Sequence, residues 1–308
     1  MLEIKTPKQI LNRENTLKHK VSKKLLLPIV SSLIALGFTS SALAEVQLKL
    51  DGEIMQGSMV VGKTTPNSKV FFDDDPLKVS RHGLFTFGFS RDDESNHKLL
   101  IVNENNEQLV QYLKPKSRTY NVQRIEGIDK KIMSPSKEAL AQIKRDGIKI
   151  RAARAIASDN IDFAHGFKAP ATGRITGVYG SQRIYNGEPK NPHYGLDYAG
   201  PKGTSVYAPA AGVVTLWEPD MFYSGGTLVI DHGHGITSTF LHLSDSKVQV
   251  GDRVLQGQDV AMIGSTGRST GPHLDWRINW HNVRLDPALV LNLKNMQTFK
   301  PKKQQNAE

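Results

Sequence analysis

Three short segments in the C-terminal half of the chain supply histidines, two of them with a carboxylate close by. His193 and Asp197 are four residues apart, His242 lies in a β-rich run, and His273 and Asp275 are two residues apart. The 308-residue chain has ten histidines and no cysteine. A thiolate metal site, an iron–sulfur cluster, a disulfide and a cysteine nucleophile are therefore excluded. A metal in this protein would have to be held by histidine, aspartate or glutamate side chains.

These segments and their flanks resemble the lysostaphin-like, LytM-type zinc endopeptidases that cut peptidoglycan peptides. The resemblance covers about residues 168 to 290, and the matching stretches occur in the family's order: 167–170, 193–197, 206–214, 230–235, 242–244 and 264–273. It implies an antiparallel β fold, the duplicated hybrid motif, with a groove across a sheet and one catalytic zinc ion. It also implies that the substrate is peptidoglycan.

The resemblance gives each segment a role. His193 and Asp197 are expected to be zinc ligands, and His242 and His273 to be non-ligating histidines beside the attacking water. Zinc with three protein ligands keeps a fourth position for water and lowers its pKa towards about 7. A neutral imidazole can accept the proton from that water, and a second can donate to the oxyanion or the leaving amine. The chain has no His-Glu-x-x-His motif, so a glutamate base of the thermolysin type is not available.

One position departs from the family pattern. The usual third ligand is the second histidine of a His-x-His pair on a strand, and this chain has Asp275 there. Residues i and i+2 of a strand face the same side, so His273 and Asp275 should point together into the groove. A carboxylate can ligate zinc as imidazole does. However, one histidine with two aspartates leaves the ion formally neutral instead of +1, which should weaken its Lewis acidity.

Three alternatives follow from this substitution. The first is an active zinc metalloendopeptidase with His193, Asp197 and Asp275 as ligands. The second is an active enzyme that prefers a harder metal. The third is a catalytically degenerate protein that binds peptidoglycan and activates a partner cell-wall hydrolase.

Other motifs are weaker candidates for chemistry. His232-Gly233-His234 has the spacing of a metal pair but lies between glycines at a predicted hairpin, so we do not expect it to bind metal. Residues 264–271 are rich in glycine but lack the Gly-Lys-Ser/Thr of a phosphate loop. A lipoyl or biotinyl carrier module would need a lysine at a hairpin tip, and residues 204–263 offer only Lys247, in an unsuitable context.

The rest of the sequence predicts the elements that position this site. Residues 45–122 alternate apolar and polar positions between turn signals, which predicts a small all-β, sandwich-like module. Residues 123–160 form a basic linker with helical spacing after Ser134-Pro135, for which a solvated helix is favoured over a membrane-surface helix. Residues 161–293 form the LytM-like domain, and residues 294–308 a disordered tail.

Residues 1–44 have the pattern of an export signal. Lys23-Lys24 precedes an apolar run, and small residues end at Ala44. This predicts export to a bacterial periplasm, with anchoring in the inner membrane as the alternative if the segment is not cleaved. The segment holds seven basic and two acidic residues, a net +5 of the chain's +10. The remaining charge is spread thinly, so nucleic acid is not an expected partner, whereas export is compatible with cell-wall protein partners.

Overall fold

The structure is a computed structural model that describes residues 46–125 and 136–297. The predicted export signal, residues 126–135 of the predicted linker and residues 298–308 of the predicted tail lie outside the described residues. The described residues belong to one compact unit. Within them, no helix has the length and apolar character needed to cross a membrane.

The N-terminal part consists of two small antiparallel sheets. One has the order β1-β2-β5, from β1 (Leu48–Asp51), β2 (Met59–Thr64) and β5 (Leu84–Gly88). The other has the order β4-β3-β6-β7, from β3 (Lys69–Phe72), β4 (Asp75–Leu77), β6 (His97–Val102) and β7 (Gln108–Leu113). Their inner faces share an apolar core that includes Val60, Phe85 and Leu99. The prediction of an all-β N-terminal region is therefore confirmed.

The C-terminal part is dominated by a large, mainly antiparallel sheet. Its strands are β9 (Arg174–Gly177), β12 (Leu196–Ala199), β13 (Ser205–Tyr207), β14 (Gly212–Met221), β15 (Gly225–Gly233), β16 (Ile236–Ser246), β17 (Arg253–Val254), β18 (Asp259–Ile263), β19 (His273–Trp280) and β20 (Val283–Leu285). Seven of them follow the order β17-β14-β15-β16-β19-β12-β9. Outside this sheet, β8 (Val122–Ile125) pairs with β10 (Gln182–Tyr185), which pairs with β11 (Glu188–Pro189).

Two α-helices and a 3-10 turn complete the described chain. They are α1 (Lys137–Ala155), the turn Asp162–His165 and α2 (Pro287–Val290). The hydroxyl of Ser136 accepts a hydrogen bond from the Ala139 amide at 3.2 Å, which caps α1 two residues after the Ser134 expected from the sequence. The helix runs through Gly147 without a break.

The predicted N-terminal module and the LytM-like domain share a core. Met59 and Val61 pack with residues of the C-terminal sheet such as Trp276, whereas Val60 faces the N-terminal core. Alternate residues of a strand face opposite sides, so β2 contributes to both cores. This explains why Val60 and Val61 are both fully buried.

The folded domain extends past the predicted start of the tail at residue 294. The Lys294 amide donates to Asp51 Oδ2 at 2.6 Å, and the Met296 amide donates to the Ala164 carbonyl at 2.8 Å. Met296 is 1% exposed and belongs to the C-terminal core. The expectation of disorder was wrong for residues 294–297, because a single methionine among polar neighbours gives no periodic signal.

We predict that Met59→Ala lowers the free energy of unfolding by about 2–5 kcal/mol, since it leaves a cavity between the two parts. In urea unfolding followed by tryptophan fluorescence and circular dichroism, one shared transition should move to lower urea. Val110→Ala, at a 46% exposed position of β7, is the control and should change stability by less than ~0.5 kcal/mol. Two separate transitions, with only one shifted, would contradict a shared core.

Candidate metal centre

The adjacent strands β12 and β19 place two carboxylates directly opposite each other. Asp197 on β12 is the register partner of Asp275 on β19. His193 lies in the loop just before β12, where its amide donates to the Ser181 carbonyl at 2.8 Å. The three side chains offer ligand atoms that all lie within 4.8 Å of one another. The structure thus brings together the three residues expected to hold zinc.

Two of these side chains face each other without a hydrogen bond. His193 Nε2 and Asp197 Oδ1 are 3.2 Å apart, both atoms are buried, and neither has a hydrogen-bond partner with suitable angles. Burial lowers the pKa of His193, but its contact with Asp197 and the negative charge of Asp275 outweigh burial and raise it. Unpaired buried polar atoms are costly, and a shared cation would satisfy both.

Two glycines make room for the carboxylates. A Cβ on Gly177 would lie 2.1 Å from Asp197 Oδ2, and a Cβ on Gly195 would lie 1.9 Å from Asp275 Oδ1. Any side chain at either position would displace a carboxylate oxygen. The residues present therefore fit a small cation held by one imidazole and two carboxylates, a donor set that zinc accepts.

Asp275 also has a cationic partner on its own strand. Arg277 Nε lies 3.1 Å from Oδ1 and 3.0 Å from Oδ2 of this carboxylate, and Nη2 lies 2.5 Å from Oδ2. Burial raises the pKa of Asp275, but the charge and hydrogen bonds of Arg277 override it and lower the pKa to about 2. The same contact raises the pKa of Arg277 although burial opposes it. Asp275 is thus ionised at neutral pH.

Arg277 changes the charge balance expected from the sequence. One neutral histidine, two aspartates and one arginine sum to −1, which equals the charge of one aspartate with two neutral histidines. The expectation of a formally neutral zinc site counted only the ligands and so omitted this arginine. The sequence did contain an indication of this contact. Residues i and i+2 of a strand share a face, and Arg277 stands two residues after Asp275.

The two remaining histidines form a pair beside this centre. The rings of His242 and His273 have centroids 4.8 Å apart. His242 Nδ1 lies 2.8 Å from the Thr266 carbonyl, and His273 Nδ1 lies 2.8 Å from the Gly271 carbonyl. A carbonyl can only accept, so in each ring Nδ1 carries the proton. In a neutral ring, Nε2 is then free to accept a proton. The pKa of His242 is lowered, chiefly by burial, so this ring is neutral at pH 7.

A β-bulge places His242 in the pair. Gly226 pairs with Leu243 and Leu228 pairs with Phe240, so β16 has one more residue than β15 in this stretch. His242 has a φ of 63°, in the left-handed region that side chains rarely adopt, and its amide donates to the Ser224 carbonyl at 2.8 Å. Strained residues and bulges of this kind concentrate at functional sites, where they redirect a side chain.

The other histidine motif lies elsewhere and has structural partners. His232 is fully buried, with Nδ1 2.7 Å from the Ala211 carbonyl and Nε2 2.8 Å from Ser238 Oγ. His234 packs on the Phe163 ring at a centroid distance of 5.0 Å. Among the residues that the structure describes, neither belongs to a group able to hold a metal.

Residues 191–287 match the family model described as Peptidase family M23. One similar protein is peptidoglycan DD-endopeptidase ShyA of Vibrio cholerae, which is 42% identical to this chain over 87 residues. The aligned segment covers 28% of this chain and 20% of ShyA. The chain is 39% identical over 98 residues to DD-carboxypeptidase/endopeptidase Mpg of Neisseria meningitidis, covering 32% of this chain and 22% of Mpg. The chain thus spans about a fifth of the length of these two relatives.

A solved structure resembles a larger part of the chain. This is a protein from Pseudomonas aeruginosa assigned to peptidase M23, with 27% identity and a TM-score of 0.61. The superposition covers 78% of this chain and 96% of that chain. The superposed part of this chain is longer than the segment that matches the family model, so the likeness includes elements outside residues 191–287. Residues 191–287 are therefore similar to peptidase family M23, and the solved structure extends the likeness to most of the chain.

Proposed function

We propose that this protein is an exported zinc metalloendopeptidase that hydrolyses peptide bonds in peptidoglycan stem peptides or cross-links. The observation that carries the proposal is the cradle of His193, Asp197 and Asp275 beside the paired rings of His242 and His273. Relatives named peptidoglycan DD-endopeptidase and DD-carboxypeptidase/endopeptidase support peptidoglycan as the substrate. The export pattern of residues 1–44 supports a periplasmic location, where that substrate lies.

The cradle residues would hold zinc, and the two histidines would handle protons. Zinc, when bound, supplies a Lewis acid and lowers the pKa of a water molecule. His242 is neutral and its Nδ1–H is held by the Thr266 carbonyl, so its Nε2 accepts the proton of the attacking water. The Nδ1–H of His273 is held by the Gly271 carbonyl, so this ring acts from Nε2, which donates to the oxyanion or the leaving amine when it carries a proton.

Arg277 acts through Asp275 and is a positioning residue. Its hydrogen bonds to both carboxylate oxygens fix the orientation of Asp275 and keep it ionised. Each carboxylate oxygen has two lone pairs, so a hydrogen bond from Arg277 leaves capacity for a metal. Partners that hydrogen-bond to a ligand in this way commonly set its orientation and basicity.

The same contact is the observation that favours the second candidate function. Arg277 already neutralises Asp275, so this pair is satisfied without a metal. A protein in which the Asp275–Arg277 ion pair replaces the metal would be a catalytically degenerate regulator, which binds peptidoglycan and activates a partner hydrolase. Zinc content separates the two candidates, because only the peptidase requires a metal.

We predict that the purified full chain contains about one zinc ion per molecule and that His193→Ala loses most of it, because zinc sites need three protein ligands. Metal content is measured by mass spectrometry, with circular dichroism as the check of folding. His82→Ala, at an exposed turn of the N-terminal part, is the control and should keep its zinc. A zinc-free protein that still sediments with peptidoglycan would favour the regulator instead.

We also predict that His242→Ala lowers kcat on peptidoglycan by about 10²–10⁴-fold, the usual contribution of a general base. Its zinc content should stay at the level of the unmodified protein, since His242 is not among the ligands. Chromatography of digestion products gives the rate, and His82→Ala is again the matched control. Equal activity of His242→Ala and the unmodified protein would remove this histidine from the mechanism.

A further inference from the structure

A cavity of about 420 Å³ lies beside the candidate metal centre, between helix α1 and the C-terminal sheet. Among its described lining residues there is no aspartate or glutamate. Five arginines line it: Arg151, Arg154, Arg268, Arg277 and Arg284. The cavity is therefore strongly positive, and its chemistry suits an anion.

Helix α1 is held against the sheet by polar contacts with the hairpin of β14 and β15. Lys149 Nζ lies 2.6 Å from Glu218 Oε1, and Asp146 Oδ2 accepts a hydrogen bond from the Phe222 amide at 2.8 Å. The helical spacing of three residues then brings Arg151 and Arg154 to the same face, which lines the cavity. The helix that the sequence analysis expected to be solvated is thus packed against the sheet along this face.

Arg154 carries a buried charge that lacks partners. The residue is 8% exposed, and Nη2 donates to Thr239 Oγ1 at 3.0 Å. Its Nε is buried and has no hydrogen-bond partner. A guanidinium group has five N–H donors, and leaving a buried charge unpaired is costly. Among the described residues, no carboxylate forms an ion pair with Arg154.

The pKa shifts of Arg154 and Arg284 are those expected for arginines without a counterion. Burial lowers the pKa of Arg154 well below its usual range, and repulsion by Arg284 and Arg277 lowers it further. Burial and repulsion by Arg277 also lower the pKa of Arg284, to about 10. Arg277 has Asp275 as its counterion, but Arg154 and Arg284 have no such partner among the described residues. An anion in the cavity would relieve this repulsion.

We propose that this cavity binds a free carboxylate of the peptide substrate. Arginine forms paired, charge-assisted hydrogen bonds with carboxylates, and Arg154 offers unused donors to such a group. Two residues connect the cavity to the metal centre: His242 lines the cavity and contacts His273, and Arg277 lines it and contacts Asp275.

A carboxylate bound in the cavity would lie within a residue or two of the cleaved bond. The inference rests on the proposed peptidase function and narrows its substrate class. The substrates of this site would be peptides that carry a free carboxylate close to the scissile bond.

The test compares two ligands that differ only in that carboxylate: acetyl-D-Ala-D-Ala and its C-terminal carboxamide. Binding to the full chain is measured by calorimetry after removal of metal with a chelator. We expect the acid to bind about tenfold or more tightly than the amide, as for a charge-assisted contact. In Arg154→Gln and Arg268→Gln this ratio should fall towards one.

The matched control is Arg145→Gln, which removes an arginine from the exposed face of the same helix. It should keep the full ratio of acid to amide binding. Equal binding of acid and amide to the unmodified protein would overturn the proposal, as would an equal loss of preference in Arg145→Gln. Arg268 is exposed at the rim of the cavity, so its substitution should not disturb folding. If Arg154→Gln does not fold, the ratio of acid to amide binding in Arg268→Gln tests the proposal.

This measurement also separates the carboxylate site from the proposed function. Binding is recorded without metal and without cleavage, so a protein that cleaves nothing can still prefer the acid. A protein that cleaves peptidoglycan but binds acid and amide equally would contradict only the carboxylate site.

Discussion

Two carboxylates that face each other across neighbouring strands are the constraint around which the C-terminal site is built. Asp197 and Asp275 are register partners, and Asp275 is 2% exposed. Like charges in this position repel each other, and buried charges without partners cost several kcal/mol. Arg277 stabilises one carboxylate, and a cation shared with His193 would stabilise the other. Gly177 and Gly195 leave the space that this arrangement needs.

Arg277 joins this negative centre to a positive cavity. On one side it holds Asp275, and on the other it lines the cavity together with Arg154 and Arg284. With His193 neutral, the residues of the centre sum to −1, whereas the described lining of the cavity has no carboxylate. A peptide that places its cleaved carbonyl at the first site and a carboxylate at the second would be fixed at two points. Such fixation lowers the entropic cost of reaching the reactive geometry.

The cradle and the histidine pair were both expected from the family resemblance, and local spacing accounts for only part of each. The i, i+2 rule for strands placed His273 and Asp275 on one face of β19, and the same rule could have identified Arg277. The position of His242 depends instead on a bulge and a left-handed backbone conformation. An asparagine or glycine would signal such a conformation in a sequence, but a histidine in a β-rich run does not. The bulge exists because tertiary contacts stabilise it, and these are not encoded in local spacing.

The net charge of the chain likewise gave no indication of the positive cavity. The net charge of +10 divides equally between the first 44 residues and the remaining 264, which argued only against nucleic acid as a partner. Yet five arginines from α1, β19, β20 and the segment between β18 and β19 line one cavity. Arg154 and Thr239 are 85 residues apart in sequence and are hydrogen-bonded in the fold. A binding potential depends on the local arrangement of charges and on their burial. The proposed carboxylate site is therefore created by the packing of α1 against the sheet.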